Sequence, residues 1–443
     1  MFKTFPLGGV HPPENKLSAK VKLEGLSLPE TVIIPVSQHI GAPAKILVKK
    51  SDKVKTGQLI AESGGFVSAN VHASVSGTVQ KIDNFLDSSG YRRMAVQIKV
   101  EDDEWIEEID RSAEIKKDFN LSSEEIINKI LSSGLVGLGG ATFPSHVKLS
   151  VPQGKKAEYL IVNAVECEPY LTADHALMLE KGEEIMVGTR IMMKALNVEK
   201  AIIGIESNKM DAIQYLGQLA QNEEGITVKA LKVKYPQGGE KQLVAALLGR
   251  EVPSGGLPID VGVVAFNVGS IFAAYEAVQK NKPLIERVVT ITGKSVKKPS
   301  NFIVRIGTPV SALVEAAGGL PEDTGKIVNG GPMMGKAINS LDVPIVKGSS
   351  GILIIPESEA HRKEVRNCIR CTKCVSACPM GLEPYLLMSL SEREMWERIE
   401  KERALDCIEC GSCSYICPAN RPLLDYIRLG KREVGNMIRT RKN

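Results

Sequence analysis

Hydrophobic and polar positions along the chain indicate two kinds of structure before its cysteine-rich end. From about residue 32 to 100, short runs of β-branched and alternating residues separated by glycines predict strands. From about 120 to 280, helical and strand patterns alternate, which is typical of an α/β sheet. A helix is predicted to begin at Ser122 or Ser123, because Glu124 and Glu125 then lie in its first turn.

Length and composition indicate a globular protein of several domains. A chain of 443 residues is too long for one core and favours three or four domains. Hydrophobic residues make up 43% and charged residues 24%, as in soluble proteins. No run reaches the ~18 apolar residues of a membrane span, and the N-terminus lacks the apolar segment of a signal peptide. We therefore expect a cytosolic chain, or the cytosolic part of a larger assembly.

The cysteines are concentrated in the last 76 residues, which hold eight of the nine. They form two copies of C-x2-C-x2-C-x3-C-P, the run expected for [4Fe–4S] clusters: Cys368, Cys371, Cys374 and Cys378, then Cys407, Cys410, Cys413 and Cys417. Zinc is the alternative, but zinc sites usually pair a short Cys pair with a distant second pair. The spacing favours iron–sulfur clusters.

The repeated motif resembles that of two-cluster ferredoxins, in which the fourth cysteine binds the other cluster. That resemblance implies one cluster on Cys368, Cys371, Cys374 and Cys417, and a second on Cys407, Cys410, Cys413 and Cys378. With every iron bound to a thiolate, the pair would conduct electrons rather than bind substrate. Apolar and charged residues alternate at helical spacing between the motifs, which predicts a helical two-cluster domain.

A glycine-rich stretch is the first candidate binding element of the α/β region. It runs GLVGLGGATFP from Gly134 and follows a predicted helix rather than a strand, so it fails as an ordinary dinucleotide fingerprint. Gly137, Gly139 and Gly140 let the backbone approach a flat or anionic ligand, and Lys148 could meet a phosphate. A plain tight turn is the alternative.

The second candidate element, NAVECEP from Asn163, ends a strong strand. Ligands of open α/β sheets bind beyond the carboxyl ends of strands. Asn163, Glu166 and Glu168 lie at such an end and could bond ribose hydroxyls or a flavin edge, or could be solvated. Cys167 is interpreted as a small packed residue rather than a nucleophile.

Four motifs in order resemble the flavin- and NADH-binding subunit of respiratory complex I: GLVGLGGATFPSHVK, VNAVECEP, YPQGGE and FNVGS. The resemblance implies FMN, with NADH stacked on it. The FMN residues that it implies are Gly137, Gly139, Gly140, Lys148, Asn163, Tyr235, Gly238, Gly239 and Asn267. It also implies catalytic roles near flavin and nicotinamide for Glu166 and Glu168, and places Phe143 near adenine. Val165 and Gly239 stand where that family has acidic residues.

The flanking segments complete a recognisable order of domains. LVKKSDKVKTGQLIAE with ASVSGTVQKI resembles the biotinyl/lipoyl barrel-sandwich fold, although its hairpin SGGFVSANVHA lacks a carrier lysine. The segment from Arg287 to Gly319 resembles the β-grasp (SLBB) domain that follows the flavin domain in the complex I protein. The resemblance implies a barrel-sandwich domain over 1–118, a Rossmann-like FMN/NADH-binding α/β domain over 119–284, an SLBB domain over 285–356 and a ferredoxin domain with a basic tail over 357–443.

This order of domains resembles the RnfC family of Rnf electron-transport complexes. The resemblance implies an NAD(H)-linked oxidoreductase subunit that holds FMN and two [4Fe–4S] clusters. It also implies a peripheral position on the cytoplasmic face of the cell membrane, contact with membrane subunits of an ion-translocating complex, and ferredoxin as an indirect partner. A cobalamin reductase of the propanediol-degradation type and a non-catalytic relay are the alternatives. No nucleic acid is expected.

The last segment, RPLLDYIRLGKREVGNMIRTRKN, carries seven basic and two acidic residues, whereas the whole chain has a net charge of +4. Nucleic-acid binding would require aromatic stacking or a recognised module, and Tyr426 alone is too little. We expect either a solvated tail or one that docks near an acidic partner or an anionic membrane surface.

Overall fold

The N-terminal region forms two small antiparallel sheets in the computed structural model, which describes residues 2–442. Its strands are β1 (Leu23–Gly25), β2 (Thr31–Pro35), β3 (Lys45–Ile46), β4 (Lys53–Val54), β5 (Leu59–Glu62), β6 (Val71–His72), β7 (Gly77–Leu86) and β8 (Arg92–Val100). One sheet has the order β2-β8-β7-β4 and the other β3-β5-β6. Val32 and Ile34 are fully buried and alternate with half-buried neighbours, as the strand pattern predicts. This is a barrel-sandwich arrangement.

The loop between β5 and β6 lies against the next domain. The Phe66 ring meets His146 edge-on, with ring centroids 6.3 Å apart, and the Phe66 carbonyl lies 3.1 Å from His146 Nε2. At this tip, where a carrier domain would present its lysine, the loop instead makes contacts between domains. A structural or docking role fits these contacts.

The central region alternates helices and parallel strands, as predicted. Its elements are α1 (Ser123–Ser132), α2 (Ser145–Leu149), β9 (Tyr159–Asn163), α3 (Ala173–Glu180), α4 (Gly182–Leu196), β10 (Ala201–Glu206), α5 (Met210–Ala220), β11 (Ile226–Leu231), α6 (Glu240–Leu248), β12 (Val263–Asn267) and α7 (Val268–Gln279). The predicted helix start is confirmed, because Ser122 caps α1 and forms a reciprocal capping box with Glu125.

Strand order fixes where this sheet can bind a ligand. The four strands are parallel and lie in the order β11-β10-β9-β12. Chain order therefore reverses between β9 and β12, and open α/β sheets bind ligands beyond the carboxyl ends of the strands at such a point. Asn163 and Asn267 are paired in register there, as the last residues of the two strands.

A mixed sheet follows, with two helices beside it. Its elements are β13 (Glu286–Thr292), β14 (Ser300–Arg305), α8 (Val310–Ala316), β15 (Thr324–Asn329), β16 (Lys336–Ile338), β17 (Gly351–Pro356) and the short α9 (Glu357–Ala360). The strand order is β1-β14-β13-β17-β15-β16, so the N-terminal strand β1 completes this β-grasp sheet. Val310 and Leu313 of α8 are fully buried in its core.

The cysteine-rich region is helical, as predicted from its periodicity. It contains α10 (Lys373–Ser376), α11 (Pro384–Glu392), α12 (Trp396–Lys401), α13 (Ser412–Ile416) and α14 (Leu423–Lys442). Leu387, Ile399 and Val434 are nearly or fully buried in a shared core that also contains Cys378 and Cys413. Within residues 2–442, none of the helices is both long and apolar enough to cross a membrane.

The C-terminal segment is a packed helix and not a free tail. Val434 of α14 is fully buried. Lys431 donates to the Cys407 carbonyl at 2.6 Å, and both Lys431 and Arg428 form ion pairs with Glu409, at 2.8 and 3.0 Å. Part of the positive charge assigned to a docking tail is therefore neutralised within the domain.

Candidate functional site

Two asparagines lie at the carboxyl edge of the parallel sheet, within the candidate site. Asn267 accepts a hydrogen bond from the Gly269 amide at 2.9 Å and so caps α7, while its Nδ2 donates to Asp174 at 2.7 Å. Asn163 donates from Nδ2 to the Gly238 carbonyl at 2.8 Å. The two predicted asparagines thus fix the start of α7 and the turn before α6 around one crevice.

The glycine-rich loop passes beside this crevice. Its turn is closed by the Gly137 amide, which donates to the Phe143 carbonyl at 2.8 Å. Gly139 and Gly140 are exposed, and a Cβ at Gly139 would lie 3.4 Å from Asn267 Cβ. Gly140 has φ +100°, which side chains rarely adopt. The bare backbone beside Asn267 fits close approach by a flat ligand.

Lys148 reaches the same edge from α2. Its Nζ donates to Glu240 Oε1 at 2.6 Å and to the Ala265 carbonyl at 2.9 Å, and it lies 5.5 Å from the centre of the Phe266 ring. Gly239 caps the nine-residue helix α6, whose first turn begins at Glu240. A cation beside a helix N-terminus suits an anionic ligand group. Glu240 was not among the residues predicted from sequence.

The two predicted glutamates point to different neighbours. Glu166 accepts the Asp174 and His175 amides at 2.7 and 3.2 Å, and so caps α3. Glu168 accepts the Met333 and Met334 amides of the β-grasp domain at 3.1 and 2.9 Å. Burial raises the pKa of Glu168 to about 7.

Lys16 organises the loop that carries both glutamates, although sequence analysis did not identify it. Its Nζ donates to the carbonyls of Glu166, Glu168 and Leu171 at 2.7 to 2.9 Å. Burial lowers its pKa. No motif surrounds Lys16, and its contacts arise only because the N-terminal segment crosses the sheet edge.

Asp174 and Arg287 form a second set of contacts that the sequence did not reveal. Burial, together with the charge of Glu166, raises the pKa of Asp174. Buried Arg287 donates to the Leu138 carbonyl at 3.2 Å, so a β-grasp residue holds the glycine-rich loop. Burial lowers the pKa of Arg287 to about 10. Only the domain packing makes these strand and helix residues neighbours of the site.

Cys167 is packed, as expected. Its sulfur accepts the Gly238 amide at 3.3 Å, and burial raises the pKa of its thiol, which disfavours the nucleophilic thiolate.

Tyr235 links the flavin-like domain to the second cysteine motif. Its hydroxyl donates to the Cys410 carbonyl at 2.8 Å and lies 3.4 Å from Glu168 Oε1. The side chain is 2% exposed, and its backbone pairs with Val10 in both directions. The structure therefore directs this predicted flavin residue toward the cysteine-rich domain.

The cysteines are distributed between a buried and an exposed environment. Cys378, Cys407, Cys410 and Cys413 line one pocket with apolar walls that include Leu387 and Ile427. Burial raises the pKa of Cys407 to about 11 and that of Cys413 to about 12. Cys368 and Cys371 are exposed, and Cys374 and Cys417 are half-buried.

The buried pocket fits a cubane cluster. It brings Cys378 of the first motif together with three cysteines of the second as lining residues of one pocket. Among the described residues, no three His, Cys, Asp or Glu side chains converge closely enough to hold a single metal ion. A [4Fe–4S] cubane takes one thiolate at each of its four irons, which matches four thiols around one pocket.

Four family models match successive parts of the chain. They describe the RnfC barrel sandwich hybrid domain over 3–104, the Nuo51 FMN-binding domain over 130–276, the SLBB domain over 288–337 and the 4Fe-4S dicluster domain over 367–421. Together with the site, they define a flavin- and iron–sulfur-containing electron-transfer protein, whose cofactors are FMN and two [4Fe–4S] clusters.

Curated relatives match almost the full length. The C subunit of the proton-translocating ferredoxin:NAD(+) oxidoreductase complex of Clostridium ljungdahlii is 48% identical, covering 98% of this chain and 94% of the relative. The C subunit of the Na(+)-translocating complex of Acetobacterium woodii is 46% identical, covering 96% of each. The chain belongs to the RnfC family, the C subunits of ion-translocating ferredoxin:NAD oxidoreductase complexes.

Solved structures show the fold of the shared part. An NAD+-reducing [NiFe]-hydrogenase in the H2-reduced state has a TM-score of 0.50 at 18% identity, covering 71% of this chain and 63% of that chain. Its air-oxidized state has the same TM-score at 16% identity.

Proposed function

We propose that the protein transfers electrons between NAD(H) and the other proteins of a membrane-bound, ion-translocating complex. The contact between Tyr235 and Cys410 carries this proposal, because it joins the flavin-binding edge of the sheet to the buried cysteine pocket. When bound, FMN exchanges a hydride with NAD(H) and single electrons with the [4Fe–4S] clusters. The names of the relatives favour this function over a cobalamin reductase or a non-catalytic relay.

The crevice residues would hold FMN by complementary contacts. The backbone of half-buried Gly137 and of exposed Gly139 and Gly140 would face the flavin, and Lys148 with the start of α6 would hold its phosphate. Asn163, Asn267, Gly238 and Gly239 would line the rest of the crevice. A phosphate at Lys148 would compete with Glu240 for its Nζ, so Glu240 would move or share that cation.

NADH would approach from the exposed side of the glycine-rich loop. Phe143, which follows that loop, would contact the adenine. Glu168 would act near the nicotinamide, where its pKa of about 7 would let it hold or release a proton at Oε1. Glu166 would fix the loop through its cap on α3 and so position Glu168.

We further propose crossed ligation of the clusters. Cys407, Cys410, Cys413 and Cys378 would hold the buried cluster, and Cys368, Cys371, Cys374 and Cys417 the other. The pocket composition supports the first set. For the second set, the charge of Cys417 contributes to the raised pKa of the Cys374 thiol, after the larger effect of burial, which supports proximity of these two sulfurs.

The names of the relatives support a position next to the membrane part of the complex. We propose that the chain sits peripherally on the cytoplasmic face of the membrane, contacts membrane subunits and communicates with ferredoxin through them. We also propose that the chain divides into its four domains at 118/119, 284/285 and 356/357.

Substitution of Gly139 tests the flavin site. In anaerobically reconstituted protein, Gly139→Leu should lower FMN content at least about tenfold, because a side chain there meets Asn267 and covers the crevice. Iron content and NADH-independent cluster reduction should not change. Gly25→Leu is the matched control, since Gly25 is exposed with no atom within 4 Å of an added Cβ. Full flavin content in Gly139→Leu would contradict the site.

A further inference from the structure

The two cysteine motifs have similar sequences but differ in burial and in the charge of the residues around them. The second motif lies in the buried pocket beside Tyr235, and Glu409, the only charged residue between Cys407 and Cys417, is paired with Lys431 and Arg428. The first motif carries Arg370 and Lys373 between its cysteines. One motif therefore faces the flavin domain, and the other presents positive charge.

The segment around the first motif is exposed without interruption. All thirteen residues from 361 to 373 are exposed. They include five basic residues and one acidic residue, a net charge of +4, which equals that of the whole chain. Only Arg362 of the basic residues forms an ion pair within residues 2–442, with Asp425.

Exposed apolar side chains lie among these charged residues. Val365 is 52%, Ile369 68% and Tyr385 42% exposed. The Tyr385 ring lies near the same motif, because the charges of the Cys374 and Cys368 thiols contribute, after that of Glu383, to the raised pKa of its hydroxyl. Exposed apolar side chains surrounded by charge are characteristic of protein interaction sites. We call the surface formed by Val365, Arg366, Ile369, Arg370, Lys373 and Tyr385 the terminal surface.

We propose that the terminal surface is where an acidic redox protein docks to exchange electrons with the cluster of Cys368, Cys371, Cys374 and Cys417. The inference rests on the proposed function and its crossed ligation. The buried cluster is then the partner of the flavin, and the exposed cluster is the partner of the next protein. Charge complementarity selects an acidic partner, since Arg366, Arg370 and Lys373 beside the exposed thiols form no ion pairs within residues 2–442.

The test uses charge reversal in the full-length, anaerobically reconstituted protein. One variant combines Arg366→Glu, Arg370→Glu and Lys373→Glu. A second combines Lys363→Glu and Arg366→Glu, which lie outside the cysteine motif and so spare the cluster ligands. The control combines Lys45→Glu, Lys49→Glu and Lys50→Glu, three exposed lysines of the barrel-sandwich domain without ion pairs among the described residues. Iron content and EPR spectra verify that each variant carries both clusters.

The probe is the oxidation of a chemically reduced, acidic ferredoxin, used as a soluble substitute for the acidic partner and followed by stopped flow at several salt concentrations. Both terminal-surface variants should slow this reaction about tenfold or more at low ionic strength, and the difference should shrink as salt rises. The control should change it less than about twofold. Reduction of a basic cytochrome should change in the opposite direction, and NADH oxidation with a neutral quinone should stay unchanged.

Three outcomes would distinguish a redox-protein docking surface from a lipid-binding surface and from failure of the proposed function. Ferredoxin rates that fall equally in the terminal-surface variants and the control would overturn the docking surface. Unchanged ferredoxin rates with lost binding to anionic vesicles would also overturn it and assign the charge to lipid. Failure of the unsubstituted protein to reduce the quinone with NADH would instead refute the proposed function, whatever the variants do.

Discussion

At the scale of single residues, neighbouring side chains of one motif have different hydrogen-bond partners and different structural roles. Glu166 and Glu168 are two positions apart, yet one caps α3 and the other bonds the β-grasp domain. Strand periodicity predicted that Asn163 ends a strand, and the structure adds that Asn267 lies opposite it. The direction of each side chain depends on loop geometry, here including the left-handed backbone of Glu166 at φ 47°, which no local pattern encodes.

Cluster ligation is tested at the same scale by paired substitutions. With crossed ligation, Cys417→Ala combined with Cys371→Ala should remove one cluster and leave about half of the iron, because both residues would hold the same cluster. Cys417→Ala combined with Cys410→Ala should remove both clusters. Iron analysis and EPR measure the result, with Cys167→Ala as the control. The reverse pattern would show that each motif closes on itself.

At the scale of elements, the net charge of the C-terminal segment does not predict its structure, which is the packed helix α14. A basic C-terminal segment suggests a flexible docking tail, but its apolar positions recur at helical spacing and bury Ile427 and Val434. Lys431 also holds the backbone of the second cysteine motif through the Cys407 carbonyl. The capping box of α1, by contrast, was predicted correctly, because its determinants are adjacent in sequence.

Truncation after Leu429 should therefore damage the ferredoxin domain itself. Loss of Val434 alone removes burial that stabilises the domain by about 1.5–3 kcal/mol, and Lys431 is lost with it. We expect reduced iron content and a lower thermal midpoint. The full-length Arg432→Gln variant, changed at a residue whose ion partner is the adjacent Glu433, is the control. A truncated protein with full iron content and unchanged midpoint would restore the free-tail interpretation.

At the scale of the whole molecule, function depends on contacts between domains. Tyr235 bonds Cys410, Arg287 bonds the glycine-rich loop, and buried Lys347 donates to the carbonyls of Asn70 and Gly134 at 2.7 Å each. Lys347 thereby joins the barrel-sandwich hairpin to the loop after α1. Burial lowers its pKa to about 7.

This lowered pKa predicts how the stability of the assembly depends on pH. Between pH 7 and the usual lysine value of 10.5, the unfolded chain binds a proton at Lys347 that the folded chain does not, so folding becomes more favourable as pH rises. The gain is at most about 1.4 kcal/mol per pH unit. Lys347→Met should lack this gain, so the unfolding midpoint of the unsubstituted protein should rise relative to the variant from pH 7 to 9.5.

Lys50→Met serves as the control, because Lys50 is exposed and forms no ion pair within residues 2–442. A constant difference between the unsubstituted protein and Lys347→Met across the range would show that Lys347 stays charged in the fold.

The order of domains followed from resemblance to known families. The sequence by itself determined the classes of element, the two iron–sulfur motifs and the glycine-rich loop. These features depend on periodicity and on spacing within short segments, which the chain carries locally. The resemblance to two-cluster ferredoxins implied that Cys378 joins the second motif, and the pocket contains it. Only the tertiary structure decided that Tyr235 faces Cys410 and that Lys16, Arg287 and Lys347 support the site. Those contacts join residues far apart in sequence, and their partners are mostly backbone carbonyls, which every residue possesses and no sequence pattern distinguishes.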